Sequence, residues 1–398
     1  MNSLVAMTII LIVFAVGDIL AVKTKSIISM LFFSSTFFII AFWLGLPPTI
    51  FADSTLLAIG KVLIAMLLVH MGTMLNLLQL KEQWKTVVIA IMAIIGVAIG
   101  ILVLGAPIVG LETALIAAPP VSGGVIAGIQ MAEAANSLGR EDLAVLASLL
   151  VVVQGFIGYP LASFFLKKEA SLVRDKYRAG EISNEVRFQD TEEFVKKKWF
   201  PKLPAAYESA NYFLAKTAFA ALLAQLLATT LNEAVGFRLI DSNIIALLMG
   251  ILLSEVGFLE KEILVKSNSF GISMAALTSV ILSALTAATP EVIKGLLLSI
   301  LIALAFGSIG IILSSLLASK ILKISKWMCL GIGISALFGF PGTFIVSQEV
   351  TNAIGETKEE REVILQSILP KMLVAGFVTV SIGSVILAGI ASSFLSTL

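Results

Sequence analysis

The sequence predicts an all-α integral membrane protein made of two inverted repeats, each with five transmembrane helices and one re-entrant hairpin. Three observations lead to this prediction. The chain is too apolar for a soluble protein, ten of its apolar stretches are long enough to cross a bilayer, and two further apolar stretches are interrupted near their centres.

The composition indicates a membrane protein and excludes several other classes. Hydrophobic residues make up 58% of the 398 residues and charged residues only 13%, whereas soluble domains average about 25% charged residues. The single cysteine, Cys329, excludes a disulfide framework, and the single histidine, His70, excludes sites built from several histidines. A net charge of +1 argues against a nucleic-acid partner, which would require a basic surface.

Ten apolar stretches reach the length of about 20 residues that a membrane-spanning helix needs. No basic segment or clear cleavage site accompanies the first, so we expect a retained helix rather than a signal peptide. The stretches form two groups, and we predict a first repeat at 1–166, a charged cytoplasmic connection at 167–208 and a second repeat at 209–398. The predicted spans are 3–22, 27–46, 55–77, 86–105 and 143–166, then 209–232, 242–258, 268–288, 292–318 and 363–393.

Two apolar stretches, 107–138 and 328–355, are interrupted near their centres. The first contains Ala117-Ala118-Pro119-Pro120 followed by Val121-Ser122-Gly123-Gly124, and the second contains Gly339-Phe340-Pro341-Gly342-Thr343. Proline removes a backbone donor and glycine weakens a helix, so each stretch is expected to break there. The arms are then too short to cross the bilayer singly, which fits either a re-entrant hairpin or a broken spanning helix.

The distribution of basic residues favours hairpins. If both stretches return to the side from which they start, most of the 27 Lys and Arg residues lie in cytoplasmic loops, in agreement with the positive-inside rule. The basic run Lys196-Lys197-Lys198 is then cytoplasmic, and both chain termini lie outside. If the two stretches crossed fully, the connection at 167–208 would lie outside instead.

The two halves of the chain share short motifs in the same order. The segment 131–139, MAEAANSLG, aligns with 347–355, SQEVTNAIG, at a glutamate, an asparagine and a glycine. Further along, Gln154-Gly155-Phe156 corresponds to Ala375-Gly376-Phe377. Because each half has an odd number of spans, the second half is expected to be inverted relative to the first. Inverted repeats with paired broken segments are typical of secondary transporters, whose substrate site lies where the repeats meet.

This plan of five spans, a glycine-containing hairpin before the fifth, a basic central loop and an inverted copy resembles the sodium/glutamate symporter family. The related 2-hydroxycarboxylate symporters of the same ion-transporter superfamily share the plan. The resemblance covers most of the chain at the level of architecture, although neither tip carries the Gly-Gly-x-Gly of those families. It implies a sodium-coupled homodimer in the cytoplasmic (inner) membrane of a prokaryote. Such a protein carries a small carboxylate or amino acid, such as glutamate, by an elevator-like motion.

The two interrupted stretches hold the residues expected to bind the substrate. Gly123 and Gly124 allow a ligand to approach the backbone, and the helix that starts at Val125 presents free N–H groups that favour a carboxylate. The second tip is expected to do the same from the other side. The predicted substrate contacts at the tips are Ser122, Gly123, Gly124, Pro341, Gly342 and Thr343. Sodium is expected to bind carbonyl oxygens that the breaks release, at Ala118, Pro119 and Phe340.

Polar residues inside apolar stretches supply further candidates. Glu133 and Glu349 are candidate substrate contacts, and each could instead pair with a cation or lie at the membrane interface. Gln154, deep in the fifth span, either reaches the first tip or hydrogen-bonds to a neighbouring helix. A polar stripe in the stretch 268–288 either contributes to cation binding or lets helices pack closely, and it comprises Ser273, Thr278 and Ser279.

Other classes of protein lack their usual signatures in this sequence. A proton-coupled or exchange carrier of another organic anion is the alternative; proton coupling usually needs an acidic residue buried in the membrane, for which Glu133 and Glu349 are the candidates. A membrane-embedded enzyme is less expected because no His-Glu-x-x-His motif, Walker-type loop or Asp cluster occurs. A channel is less expected because inverted repeats with hairpins favour alternating access. We therefore expect no enzymatic activity and no cofactor beyond a sodium ion, with the lipid bilayer, a small organic anion and a second copy of the chain as partners.

Overall fold

A computed structural model of the protein describes residues 1–24, 28–74, 83–182, 199–200, 204, 207–235 and 242–395. Every regular element within these residues is helical. The elements are α1 (Ser3–Lys23), α2 (Met30–Trp43), α3 (Ile50–Asp53), α4 (Leu56–Thr73), α5 (Trp84–Ile99), the π-helix π1 (Gly100–Gly105), α6 (Ala106–Val109), α7 (Leu111–Val121), α8 (Val125–Ser137), α9 (Glu141–Val153), α10 (Gly155–Arg178), α11 (Ala210–Val235), α12 (Ser242–Glu255), α13 (Ile263–Lys266), α14 (Phe270–Ser283), a 3₁₀ turn (Ala284–Ala287), α15 (Pro290–Leu322), α16 (Lys326–Ile334), a second 3₁₀ turn (Ser335–Leu337), α17 (Gly339–Ile354), α18 (Lys358–Val378), the π-helix π2 (Thr379–Gly383) and α19 (Ser384–Leu395).

Six helical segments in the described part of the chain are long and apolar enough to cross a membrane, in agreement with the predicted helical membrane protein. They are Ser3–Lys23, Leu56–Thr73, Trp84–Val109, Glu141–Arg178, Ala210–Leu231 and Ile293–Leu322. The predicted spans 27–46, 242–258 and 268–288 contain helices of 14 residues each. The predicted span 363–393 is divided by π2. The full count of ten spans and the repeats stay predictions.

The helix α10 continues past residue 166, where the sequence predicts the fifth span to end, and it ends only at Arg178. Residues 167–178 were predicted to begin the charged connection, and they form about three turns of helix. One face of this extension is buried, through Glu169, Ala170 and Val173. Their spacing of one, three and four residues places them on one side of a helix, so packing extends the helix beyond the apolar stretch.

The chain divides into two compact units, and each unit contains segments from both halves of the sequence. The first unit comprises Met1–Leu11, Pro47–Glu82 and Asn184–Ser283, and the second comprises Ile12–Leu46, Gln83–Ser183 and Ala284–Leu398. The boundaries of the predicted repeats, 1–166 and 209–398, therefore do not coincide with the boundaries of the compact units.

In the first unit, α4 packs closely against α12 and α14 through glycine. A Cβ atom on Gly72 would meet the Cα of Gly250 at 2.8 Å, and one on Gly60 would meet the carbonyl carbon of Ala276 at 2.9 Å. Because these side chains are absent, the helix backbones approach directly, as is common between membrane helices.

The end of α4 caps the short helix α13 in the same unit. His70 Nδ1 accepts a hydrogen bond from Leu264 N at 3.3 Å, and Thr73 Oγ1 accepts one from Glu262 N at 3.1 Å. His70 is buried, and its ring lies 5.1 Å from that of Phe270. The single histidine therefore acts as a packing hydrogen-bond acceptor.

The second unit contains α2, the hairpin helices α7–α8 and α16–α17, and the long helices α5, α9–α10, α15 and α18–α19. The helix α15 packs along α5 and π1, where Gly310 meets Gly96 backbone to backbone. The helices α9 and α10 follow one another through Gln154, whose φ and ψ of −58° and −29° are helical. This unit holds every residue of the candidate site described next.

Candidate functional site

The first interrupted stretch folds back on itself and forms a hairpin of α7 and α8. Arg140, just after α8, forms an ion pair with Glu112, in the first turn of α7. The arms contain 11 and 13 residues, so a straight broken helix would separate these two side chains by about 40 Å. The ion pair therefore places both ends of the first hairpin on the same side.

The second interrupted stretch also forms a hairpin, and both of its arms run along α10. At the start of α16, the ring of Trp327 stacks 6.4 Å from that of Phe165. At the turn between the arms, the ring of Phe338 lies 5.0 Å from that of Tyr159. After the end of α17, Glu356 pairs with Arg178 at 2.9 Å. Along α10, both ends of this hairpin lie on the C-terminal side of its tip, so α17 runs back beside α16.

The open ends of the two hairpins lie at opposite ends of one long helical segment. Arg140 precedes α9, and Arg178 ends α10. The segment Glu141–Arg178 has 38 residues, which corresponds to about 57 Å of helix. The hairpins therefore approach each other from opposite ends of this segment.

The second hairpin is held at its open end by a network of charges. Arg178 Nε donates to Glu360 Oε1 at 2.7 Å, and the backbone N–H of Glu356 donates to Glu360 Oε2 at 2.8 Å. Glu360 is 5% exposed. Hydrogen bonds from Arg178 lower the pKa of Glu360 from its ordinary value of 4.5 to about 2, so this carboxylate is charged at neutral pH.

The tips of the two hairpins meet. Gly123 and Gly124 form the first tip, with φ of +123° and +102°, a conformation that glycine adopts readily. A Cβ on Gly123 would lie 2.9 Å from the carbonyl oxygen of Thr379 and 3.1 Å from that of Ala336, which immediately precedes the second tip. A Cβ on Gly124 would lie 2.6 Å from the carbonyl oxygen of Val380. Only glycine permits this close approach of three backbone segments.

The first tip packs against a π-helical turn, π2, which no sequence pattern predicted. Thr379 and Val380 begin π2, the irregular turn that separates α18 from α19. A π turn disturbs the regular hydrogen-bond ladder, and such turns are frequent at functional sites. Sequence reasoning missed both residues, because the carbonyl groups that matter belong to the backbone and no side-chain pattern marks them.

The second tip is formed where extended backbone at Phe340 interrupts the helix. Phe340 has φ −72° and ψ 139°, and α17 continues from Pro341. Proline is favoured in the first turn of a helix because its missing N–H has no intrahelical partner there. The ring of Phe340 stacks 4.9 Å from that of Phe377, and a Cβ on Gly376 would lie 2.6 Å from Thr343 Oγ1. The second tip is thus anchored on α18.

Tyr159 is a site residue that the sequence analysis did not single out. It is buried, and its ring would lie 2.9 Å from a Cβ placed on Gly342. Its spacing from Gly155 and Gly158, inside an apolar stretch, is the signal that was available. Tyr159 supports the second tip from α10, as π2 supports the first.

Two buried polar atoms, one at the second tip and one between α9 and α10, lack hydrogen-bond partners among the described residues. Thr343 Oγ1 and Gln154 Oε1 form no hydrogen bond there, although Thr343 is 0% and Gln154 3% exposed. A threonine hydroxyl in a helix usually donates to the carbonyl oxygen four residues earlier. Thr343 lies in the first turn of its helix, where no preceding helical turn supplies that carbonyl. A buried polar group without a hydrogen bond lowers stability by about 1–3 kcal/mol. A polar ligand that hydrogen-bonds to these atoms would recover that cost.

Ser122, Ala118 and Pro119, which were predicted to bind substrate or sodium, form hydrogen bonds with one another within the first hairpin. Ser122 is buried, and its Oγ donates to the Pro119 carbonyl oxygen at 2.8 Å. Its backbone N–H donates to the carbonyl oxygens of Ala118 and Pro119 at 3.0 and 3.1 Å. The helix α7 continues through Pro119 and Pro120, and the break comes at residues 122–124. The two carbonyl groups predicted to bind a cation thus already accept hydrogen bonds at a helix end.

Other predicted residues lie away from the tips. Glu133 is exposed on α8. Glu349 lies nine residues beyond Phe340, about 13 Å along α17, where its Oε1 accepts a hydrogen bond from Met30 N at 3.0 Å. The remaining three residues belong to α14 of the first unit, and their hydroxyl groups donate to carbonyl oxygens one turn earlier at 2.8–2.9 Å. These are Ser273, Thr278 and Ser279.

Taken together, the tips offer glycine backbone, uncapped helix starts and neutral polar atoms. No side chain caps the start of α8 or α17. The arrangement can bind a small anion through helix N–H groups and a cation through carbonyl oxygens. No protein-family model and no curated protein matches this chain.

Proposed function

We propose that the protein is a secondary active transporter that carries a small carboxylate or amino acid, such as glutamate, in symport with sodium. The observation that carries the proposal is the meeting of two hairpin tips, one from each half of the chain, at Gly123 and Ala336. Broken segments that meet in this way are the usual substrate site of carriers built from inverted repeats.

The helix starts at the tips support an anionic substrate group. The N-terminus of a helix carries a partial positive charge and unpaired N–H groups, and α8 and α17 both start at a tip without a side-chain cap. A carboxylate is one of the anions that a helix N-terminus binds. Thr343 Oγ1 and Gln154 Oε1 would then bond to neutral or cationic parts of the same substrate.

The backbone oxygens near the first tip support a sodium site. Sodium is a hard cation that prefers oxygen, and unwound carbonyl groups coordinate it in other broken-helix carriers. The carbonyl oxygens of Ala336, Thr379 and Val380 lie around Gly123 and Gly124. These oxygens join Ala118, Pro119 and Phe340 as candidate ligands, although the carbonyl oxygens of Ala118 and Pro119 also accept hydrogen bonds from Ser122.

Alternating access by an elevator-like motion is the transport mode we propose. In such a motion one body carries the substrate site across the membrane. Both tips and the helices that hold them belong to one compact unit, as this mode requires. We also propose ten spans in two inverted repeats, a homodimer, and a cytoplasmic membrane location with both termini outside.

A proton-coupled or exchange carrier of another organic anion is the second candidate. The observation that favours it is Glu349, a carboxylate on the second hairpin with one buried oxygen that has no hydrogen-bond partner in the described part of the chain. The two candidates share the fold and the tips and differ in the coupling ion.

Uptake of labelled L-glutamate into proteoliposomes, with and without an inward sodium gradient, tests the proposal. Saturable, sodium-dependent uptake is the expected result. If glutamate is not taken up by protein that is shown to be folded, other carboxylates and amino acids can be ranked by thermal stabilisation, since a ligand that binds only the folded state raises the melting temperature. Absence of stabilisation and of uptake for every carboxylate would contradict the proposed substrate class.

A further inference from the structure

Glu349 occupies a position that a substrate contact does not explain. It lies on the returning arm α17, and its Oε1 accepts a hydrogen bond from the backbone N–H of Met30, the first residue of α2. Its Oε2 is buried and has no hydrogen-bond partner among the described residues. The residue as a whole is half-buried.

The charged neighbours of Glu349 do not neutralise it. Asp18 on α1 and Tyr159 on α10 are the titratable side chains that interact with it electrostatically. The helix α2 has no charged residue, and neither do π2 and the 3₁₀ turn before the second tip. No described basic side chain forms an ion pair with Glu349. Four basic side chains on the neighbouring helices α10 and α18 bond to other groups: Arg174 and Arg178 to Glu356, Arg361 to the Gly355 carbonyl and Lys371 to the Ser367 carbonyl.

A proton suits this environment better than a metal cation. An unpaired carboxylate with a buried oxygen is costly, and a proton on Oε2 removes the charge. A sodium ion would need several oxygen ligands, whereas the groups facing this carboxylate include the backbone N–H of Met30, which is a hydrogen-bond donor and cannot coordinate a cation. Met30 N–H stabilises the ionised form, so neither form is excluded by its surroundings.

We propose that Glu349 is a reversible proton-binding site of this carrier. In one state Oε2 takes a proton from water and becomes a neutral carboxylic acid, while Oε1 keeps the hydrogen bond from Met30. In another state the proton returns to water and the carboxylate forms again. The inference rests on the proposed carrier and deepens its proton-coupled form, because it names Glu349 on the second hairpin as the group that binds the proton.

Infrared difference spectra of the purified protein test the site without requiring transport. Spectra recorded between mildly acidic and mildly alkaline buffer should show a protonated-carboxyl band in the wild type that E349Q lacks. E349Q keeps an oxygen for Met30 and nearly the same shape, and size-exclusion chromatography verifies its folding. E362Q removes an exposed carboxylate on α18 and should keep the band. An unchanged band in E349Q would overturn the proposal.

A second variant, D18N, tests the proposal even if E349Q does not fold. In D18N the neighbouring negative charge is removed, so ionisation of Glu349 becomes easier and the pH midpoint of the band should shift to lower pH. A midpoint that does not move would show that the band does not belong to Glu349 and would count against the proposal.

Proteoliposomes containing a pH-sensitive dye separate this inference from the proposed function. Substrate uptake by the wild type should change the internal pH, and E349Q should lose that pH change. An equal pH change per substrate in E349Q would overturn the inference. If the wild type takes up no carboxylate but retains the infrared band of Glu349, the proposed function fails and the proton site stands.

Discussion

At the scale of single residues, the tips depend on two glycines for two separate reasons. Gly123 and Gly124 have positive φ, and they also leave no room for a Cβ. Gly110 and Gly139 have positive φ as well, of +87° and +70°, but a Cβ on either would meet nothing within 4 Å. Substitution of Gly110 or Gly139 therefore measures the effect of backbone strain without a steric clash.

The substitution G124A should abolish transport, whereas G139A should retain most of it. In both variants an alanine is strained by its positive φ, at a cost of about 1–3 kcal/mol. In G124A the added methyl group also collides with the Val380 carbonyl oxygen, which costs about 1–3 kcal/mol more and displaces the tip. Melting temperature in detergent and labelled-substrate uptake check both effects. Equal loss in the two variants would show that close packing of the tip is unimportant.

The sequence located the tip residues but not their partners. Pro-Pro followed by Ser-Gly-Gly, and Phe-Pro-Gly-Thr, are local signals for a break, so Gly123, Gly124 and Phe340 could be predicted. The contacts of Thr379, Val380 and Ala336 are made by backbone carbonyl groups, which leave no side-chain signature. The position of Glu349 depends on the start of α2, more than 300 residues earlier in the chain.

At the scale of elements, each hairpin is closed at its open end by an ion pair, but the two pairs differ in burial. Arg140 and Glu112 are 41% and 47% exposed. At the second hairpin, the side chain of Glu360 is only 6% exposed and receives hydrogen bonds from Arg178 and from the backbone of Glu356. Exposed pairs are screened by water, so the second pair should matter more for stability.

The substitution R178A should lower the melting temperature more than R140A does at neutral pH. The pKa of Glu360 is lowered to about 2, so its contribution to stability is full above its ordinary pKa of 4.5 and is lost as the pH falls toward 2. The difference between wild type and R178A should therefore shrink in buffers below pH 4.5. Thermal unfolding over a pH series checks this, and a larger effect of R140A would contradict it.

The breaks in the helices could be predicted to different degrees. The two hairpin breaks follow from proline and glycine, although α7 runs through Pro119 and Pro120 and breaks only at Ser122. The extension of α10 to Arg178 could not be read from hydropathy, because this segment is charged and its buried face includes Glu169, which accepts a hydrogen bond from the distant Ser325. The π turn at Thr379–Gly383 lies against the first tip, and no side-chain pattern in the sequence marks it.

At the scale of the whole molecule, each compact unit is built from segments of both halves of the sequence. The unit with the tips contains both hairpins. Short motifs in the same order suggested two halves, but only long-range contacts decide which segments form one body. The opposite placement of the hairpin ends along Glu141–Arg178 supports the inverted arrangement expected from an odd number of spans.

Cysteine labelling should find the open ends of the two hairpins on opposite sides of the membrane. The native Cys329 is buried and can be replaced by alanine. In that background, N136C beside the first hairpin's open end should react with an impermeant maleimide added to intact cells. K358C beside the second should react only after the membrane is opened. Labelling of both from the same side would contradict the inverted arrangement.

The central claim is that the meeting tips form the site of a carrier, and counterflow tests it most directly. Proteoliposomes loaded with excess unlabelled L-glutamate are diluted into a trace of labelled L-glutamate, with sodium on both sides. An alternating-access carrier exchanges one molecule for another, so the label should accumulate transiently inside, saturably, and G139A should preserve this accumulation while G124A loses it. Linear, unsaturable entry of label would contradict a carrier, and identical accumulation in G124A would contradict the assignment of its site to the tips.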